Sequence, residues 1–305
     1  MNRSVDYGEY QATFRPRSRG ILLDAARSAY RFIRRRVVYD TLMYPAAAFL
    51  HHRLLQTSDR SQGHTYTGFH RTPAQLQAIC GPVLDHVLGP RRDGGSLDVL
   101  VFAGSNGAEA YTLASVLRNC LPNTALRIVC SDLHEEMVAR GRAGRYTRDE
   151  VLHHPHITEH FLQSTFDYDG DTFVVKPDIR SLVSFRTANL LDSALPSQFA
   201  PADLVLAQNV MFHLRPADAE RAFTHVAALL KPRSALCING MDLGLRTRLT
   251  QEAGLAPLAF NARRIHDESR SHISAAWWRY YYGLEPYWAL QPDHRRRYAT
   301  IFLKG

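Results

Sequence analysis

Leu97-Asp98-Val99-Leu100-Val101-Phe102-Ala103-Gly104-Ser105-Asn106-Gly107-Ala108-Glu109-Ala110-Tyr111-Thr112-Leu113-Ala114 is the stretch on which the reading of this chain turns. An apolar run preceded by Gly94-Gly95-Ser96 ends in a glycine-containing loop, and from Ala108 to Leu117 the apolar residues recur at helical spacing, so the stretch predicts strand, tight turn, helix. Gly104 and Gly107 let backbone approach a ligand, and the amides that open the helix offer donors and a partial positive charge. The dinucleotide fingerprint needs a further glycine that is absent. A second apolar run, Leu126 to Ser131, ends at Asp132 and leads into a helical segment from Glu135 to Arg142. An acid closing the second strand can accept from ribose hydroxyls. Asp132 lies further from the glycine loop than the spacing of about 20 residues usual for nicotinamide sites, so an adenosyl ligand without a pyrophosphate fits better.

Outward from this unit the pattern alternates. Upstream, Pro73 to Leu88 predicts a helix. Downstream, Thr172 to Val175 and Val183 to Thr187 read as strands, and the second delivers Asn189, whose side-chain amide can pair with an adenine edge. Asp203 to Ala207 is the fourth strand of the alternation. Gln208-Asn209-Val210-Met211-Phe212-His213 follows at its carboxyl end, where the ligand crevice of a doubly wound sheet lies. Pro216 to Leu230 predicts a helix, Ala235 to Asn239 the fifth strand, Leu243 to Ala253 a helix, Leu258 to Ala262 the sixth strand and Arg297 to Leu303 the seventh. The fold class expected is α/β, a doubly wound, Rossmann-like parallel sheet.

Residues 1–62 form a distinct N-terminal helical region: Asp24 to Tyr44 carries apolar residues on one face, and Pro45 opens a second helix. Arg34-Arg35-Arg36 reads as a solvated face, with a docking surface or lid as the alternative. Ser58 to Gly63 is the expected linker, and 63–305 the main domain.

With 305 residues, 45% of them hydrophobic, the chain can bury a sizeable core. No apolar run nears the roughly 20 residues that span a bilayer, and Met1 to Arg19 lacks a signal-like apolar core, so a cytoplasmic protein is expected. The four cysteines, Cys80, Cys120, Cys130 and Cys237, are far apart and read as buried thiols rather than a disulfide framework or a zinc cluster. Net charge is +8, but the only lysines are Lys176, Lys231 and Lys304. That skew argues against a nucleic-acid interface. His153, His154, His156 and His160 have no accompanying acidic or cysteine ligand set, and no metal is expected.

Several motifs carry a family resemblance. Ala103 to Thr112 resembles the A-x-S-T-G-E-E-P-Y-S loop of CheR-type S-adenosylmethionine-dependent methyltransferases. Ser131-Asp132-Leu133 with Ala143-Gly144-Arg145-Tyr146 is similar to that family's T-D-I and R-G-x-Y, and Asn189-Leu190-Leu191-Asp192 to its N-L-L-D. Ala207 to Leu214 parallels C-R-N-V-M-I-Y-F, and Thr67-Gly68-Phe69-His70-Arg71 resembles T-x-F-F-R. The resemblance implies a class I methyltransferase fold with S-adenosylmethionine as cofactor. It implies cofactor contacts from Thr67, Arg71, Gly104, Ser105, Asn106, Gly107, Glu109, Asp132, Asn189, Leu190 and Asn209, with Arg71 near the ligand carboxylate, Glu109 on its amino group and Asp132 on the ribose.

Departures from the family pattern set the functional expectation. The tyrosine of that pattern is His213 here, its arginine is Gln208, and Ala108 and Ala110 replace a glutamate and a proline. His213, a base that titrates near neutral pH, and Asn209 are the catalytic candidates. The leading expectation is a methyltransferase acting at O or N of a small molecule or biosynthetic intermediate. The alternative is protein-carboxyl (glutamate) O-methylation of the chemotaxis type, with a protein acceptor. Attack at another carbon of the sulfonium, and a non-catalytic cofactor binder, are further alternatives. No nucleic acid or membrane partner is expected. Between the last two strands lies an aromatic segment, Trp277 to Trp288, that reads either as core or as a cap over the acceptor.

Overall fold

A computed structural model describes residues 67–89, 95–154, 156–271 and 284–305. The N-terminal helical region and linker, Arg34 to Arg36, and Trp277 to Gly283 of the aromatic segment lie outside the described residues.

The quoted stretch folds as read. β1 (Ser96–Phe102) runs into the loop, and the helix Ala108–Cys120 follows. Val99, Leu100, Val101 and Phe102 are all buried, as expected of a central strand covered on both faces. Alternate side chains enter different cores: Leu97, Val99 and Val101 pack with the Ala108–Cys120 helix on one face, and Leu100 and Phe102 with Phe199, Val226 and Phe302 on the other. β2 (Ala125–Asp132), β6 (Val183–Thr187), β7 (Ala202–Gln208) and β8 (Leu230–Asn239) extend the sheet in parallel, while β10 (Ile301–Lys304) is antiparallel to β8 and to the edge strand β9 (Ala256–Pro257). The order is β6-β2-β1-β7-β8-β10-β9, a doubly wound sheet with one antiparallel strand, β10, near its edge. The chain runs from β1 outward through β2 to β6 and then returns to β7 on the other side of β1, so the crevice opens where β1 and β7 end.

The structure corrects four expectations. The sixth strand is Ala256–Pro257 rather than Leu258 to Ala262: pairing with β10 ends at the Leu258 N–H, which donates to Ile301 O at 2.9 Å, Asn261 turns to φ 55°, and a new helix, Ala262–Ser271, begins. The seventh starts at Ile301, since Arg297 closes the short helix His294–Arg297. The Pro73 to Leu88 helix is broken: Pro73–Ala78 and Leu84–Leu88 flank a wider turn, Ile79–Val83, where Pro82 cannot donate and Gly81 leaves helical geometry. That turn carries Cys80 to Cys120, and the two form a disulfide with Cα atoms 6.2 Å apart, whereas Cys130 and Cys237 are buried free thiols as expected.

β5 (Thr172–Val175) is a strand, but of a second, antiparallel sheet, between β3 (Arg145–Thr147) and β4 (Phe166–Asp169). Among the described residues no helix is long and apolar enough to cross a membrane, and no group of histidine, cysteine and acidic side chains is arranged to hold a metal.

Candidate active site

Two adjoining clefts lie at the carboxyl ends of the strands. The first, ≈ 190 Å³, is lined by the glycine-loop residues Ala103 and Ser105, by Ser131 to His134 after β2, by Ala188 to Leu191 after β6, and by Thr67. The second, ≈ 250 Å³, is lined by Gly68, His70, Gln75, His153, His154, Phe212 and Leu284, among others. Arg71, Glu109, Gln208, Asn209 and His213 line both.

The first cleft is built from the backbone. Gly107 adopts φ 88° at the cap of the helix, and its N–H closes a turn onto Gly104 O at 3.0 Å. A Cβ on Gly104 would lie 2.2 Å from Cys130 Sγ, so only glycine lets this loop pass over β2. Ala103 and Ser105 take left-handed conformations at φ 53° and 51°. What holds Ser105 there is Asp132, whose Oδ2 accepts the Ser105 N–H at 2.8 Å while Oδ1 accepts the His134 N–H at 3.0 Å. Asp132 is thereby fixed at the cleft with lone pairs to spare.

Gly104, Asn106 and Gly107 do not line the cleft. Asn106 accepts the Ala108 N–H at 3.3 Å through Oδ1, and its carbonyl accepts the Tyr146 hydroxyl at 2.6 Å. Its place is behind the loop, supporting it, which differs from the ligand contact expected of it. Asn189 is exposed in the first cleft, with Oδ1 accepting the Leu191 N–H at 2.9 Å, and Leu190 is largely buried beside it.

Where the clefts meet, Asn209 is held at φ 53° by Asn239, which accepts the Asn209 N–H through both its carbonyl (3.2 Å) and Oδ1 (3.1 Å). Gly240 permits this: a Cβ there would come within 2.6 Å of Asn209 Cα. The His213 ring packs 4.1 Å from that of Phe212. Glu109, at the start of its helix, accepts a hydrogen bond from Gln208 Nε2. Burial pushes the Glu109 carboxyl up to about 7, against the lowering pull of the Arg71 charge and the Gln208 amide. Its charged form is therefore under-compensated, a state that a cationic group in the cleft would relieve.

Thr67, Arg71, Ser105, Glu109, Asp132, Asn189, Leu190, Asn209 and His213 are thus brought together as wall residues. Sequence reasoning missed Gln75, His70 and Leu284 as cleft residues. His70 had a visible signal, since it stands where the T-x-F-F-R pattern has its second phenylalanine.

The description "CheR methyltransferase, SAM binding domain" matches residues 65–244. The chain belongs to this family. It is therefore a methyltransferase domain of the CheR type that uses S-adenosylmethionine. Relatives include a chemotaxis protein methyltransferase of Listeria monocytogenes, 26% identical over 58% of this chain and 64% of that protein. Another is the probable biofilm formation methyltransferase WspC of Pseudomonas aeruginosa, 25% identical over 67% of this chain and 48% of that protein. This CheR-type chain spans less than two thirds of the length of either relative. Among solved structures, magnesium protoporphyrin IX methyltransferase from Synechocystis with bound S-adenosylmethionine has a TM-score of 0.35 at 16% identity, covering 70% of this chain and 88% of that one.

Proposed function

We propose that this methyltransferase transfers its methyl group to a carboxylate carried by a protein. The observation that supports it is the lining of the second cleft. Among the described residues that line it and not the first, none is acidic, and His70, His153, His154 and Asn239 are polar. Such a lining holds no anion that would repel an acceptor carboxylate and offers it donors. A carboxylate needs no base to act as nucleophile, so positioning and exclusion of water suffice. The relatives named for chemotaxis point the same way.

In this reading the first cleft takes the cofactor. Asp132 accepts from the ribose hydroxyls, Asn189 and Leu190 border the adenine, Glu109 pairs with the ammonium, and Arg71 and Thr67 face the ligand carboxylate. The donor set fits a ligand bearing both charges: an under-compensated carboxyl, Glu109, stands beside the guanidinium of Arg71. Bound there, S-adenosylmethionine supplies an electrophilic methyl already activated by its sulfonium. Asn209 and His213, which line both clefts, sit where donor and acceptor meet.

A second reading, methylation of a small-molecule hydroxyl or amine with His213 as base, is supported by that same position of His213. One experiment separates them. With methyl-labelled cofactor and glutamate-containing peptides, the proposal expects label released as methanol at alkaline pH, the behaviour of an ester. Label stable to alkali, together with a His213→Asn loss of 10²-fold or more, roughly the worth of a general base, would overturn it.

A further inference from the structure

The loop that follows β1 is held in a shape its own residues disfavour. Ala103 and Ser105 are left-handed without being glycines, and Gly107 follows at φ 88°. Backbone of this kind persists only where its surroundings over-determine it. From the cleft side Asp132 holds the loop through the Ser105 N–H. From behind, the Asn106 carbonyl accepts the Tyr146 hydroxyl at 2.6 Å, and Asn106 Nδ2 donates to Glu150 Oε1 at 3.4 Å. Both rear partners come from one segment, β3 and the short helix Arg148–Leu152 that follows it.

Tyr146 touches a second segment of the first cleft as well. It is 1% exposed, and its ring meets that of Phe69 edge-on at 4.9 Å. Phe69 is buried between Thr67 and Arg71, which both line the cleft. One side chain therefore bears on the glycine loop with its hydroxyl and on the Thr67 to Arg71 segment with its ring, while lining neither cleft itself. Burial raises the Tyr146 pKa well above its ordinary value, so the phenol keeps its proton and stays a donor.

We propose that Tyr146 is a positioning residue for the cofactor: its hydroxyl fixes the Asn106 peptide, and with it the Ser105 amide that Asp132 holds, while its ring braces Phe69. Without the hydroxyl the loop visits other conformations. The cofactor then binds only the fraction of molecules whose loop is in place, and measured affinity falls by that fraction. The proposal rests on the placement of the cofactor in the first cleft given above.

Tyr111 supplies the control. It is fully buried, its ring lies 6.3 Å from that of Tyr146, and its hydroxyl also donates to a backbone carbonyl, that of Gly141 at 2.8 Å, which belongs to the helix Glu135–Ala143 and not to the loop. Tyr146→Phe and Tyr111→Phe each take one buried hydroxyl from one carbonyl and keep the ring, so both should lower Tm to a similar extent. Tyr146→Phe alone should weaken S-adenosylhomocysteine binding roughly fivefold or more by calorimetry, and alone should speed amide hydrogen exchange over residues 104–107 of the empty protein. Tyr111→Phe should stay within about twofold of the wild type on both readouts. Equal weakening by the two variants, unchanged affinity or unchanged exchange in Tyr146→Phe, or a Tm for that variant far below that of Tyr111→Phe would overturn the proposal. Asp132→Ala judges the placement separately: unchanged affinity there would remove the cofactor from the first cleft, and the exchange rates alone would then decide whether Tyr146 holds the loop.

Discussion

Acidification should weaken cofactor binding through one side chain. In the free protein the Glu109 carboxyl is held at about 7 rather than its ordinary 4.5, and pairing with the cofactor ammonium requires it ionised. Below pH 7 each bound cofactor must therefore expel a proton, and affinity falls toward tenfold per pH unit. From pH 8 to pH 5.5 the loss is roughly 30-fold if ligand binding returns Glu109 to the normal carboxylate range. The same proton stabilises the empty protein. A carboxyl with a raised folded-state pKa favours folding below the unfolded value, and this advantage is lost as pH rises through the folded value. Acidification over that interval should add about 2 kcal/mol to the stability of the free protein relative to Glu109→Gln. Calorimetric titration with S-adenosylmethionine and denaturant unfolding of the empty protein, each at several pH values, read both effects. Glu109→Gln should bind weakly and without the slope. A flat wild-type profile, or a slope that persists in the variant, would refute the pairing.

Asp132→Ala should weaken cofactor binding more than tenfold while the sheet stays folded, since losing charge-assisted hydrogen bonds forfeits roughly 1.5 to 3 kcal/mol; unchanged affinity by calorimetry would place the ribose elsewhere. Gly240→Ala should lower stability by about 1 to 3 kcal/mol and turnover with it, because the new Cβ meets the Asn209 backbone at 2.6 Å; an unaltered Tm would show that the loop yields freely. In the described end of the aromatic segment, Tyr287 packs 4.7 Å from Tyr298, whereas Trp288 is 43% exposed. Tyr287→Ala should therefore destabilise by several times as much as Trp288→Ala, an order that thermal melts would reverse if Trp288 were the anchor.

The parts legible in the sequence are those encoded by local pattern. β1 is apolar throughout because both of its faces are covered, and Gly104, Gly107 and Asp132 announce a strand, loop and acid that need few distant partners to be read. Where partners decide, the reading slipped. Thr172 to Val175 is built of the β-branched and aromatic residues that strands favour, yet nothing within it says that it pairs with β3 and β4 instead of joining the main sheet. A strand of two residues, Ala256–Pro257, has no alternation to detect, and its proline is tolerated at a sheet edge. Cys80 meets Cys120 across a 40-residue separation because of a broken helix that the apolar spacing does not reveal. Gln75 lies in a segment that the sequence marks only as helical, and the packing around it makes it buried.

The common wall of the two clefts also bears on inhibition. Because Arg71, Glu109, Gln208, Asn209 and His213 border both, no complete partition separates donor from acceptor, and one molecule could occupy the two sites together. An adenosyl group joined through a tertiary amine to an amino-acid arm and to a second, carboxylate-bearing arm would keep the first arm's ammonium on Glu109 and its carboxylate on Arg71 while the second arm enters the other cleft. Such a compound would gain from linkage as two tethered ligands do, with the second binding event made intramolecular.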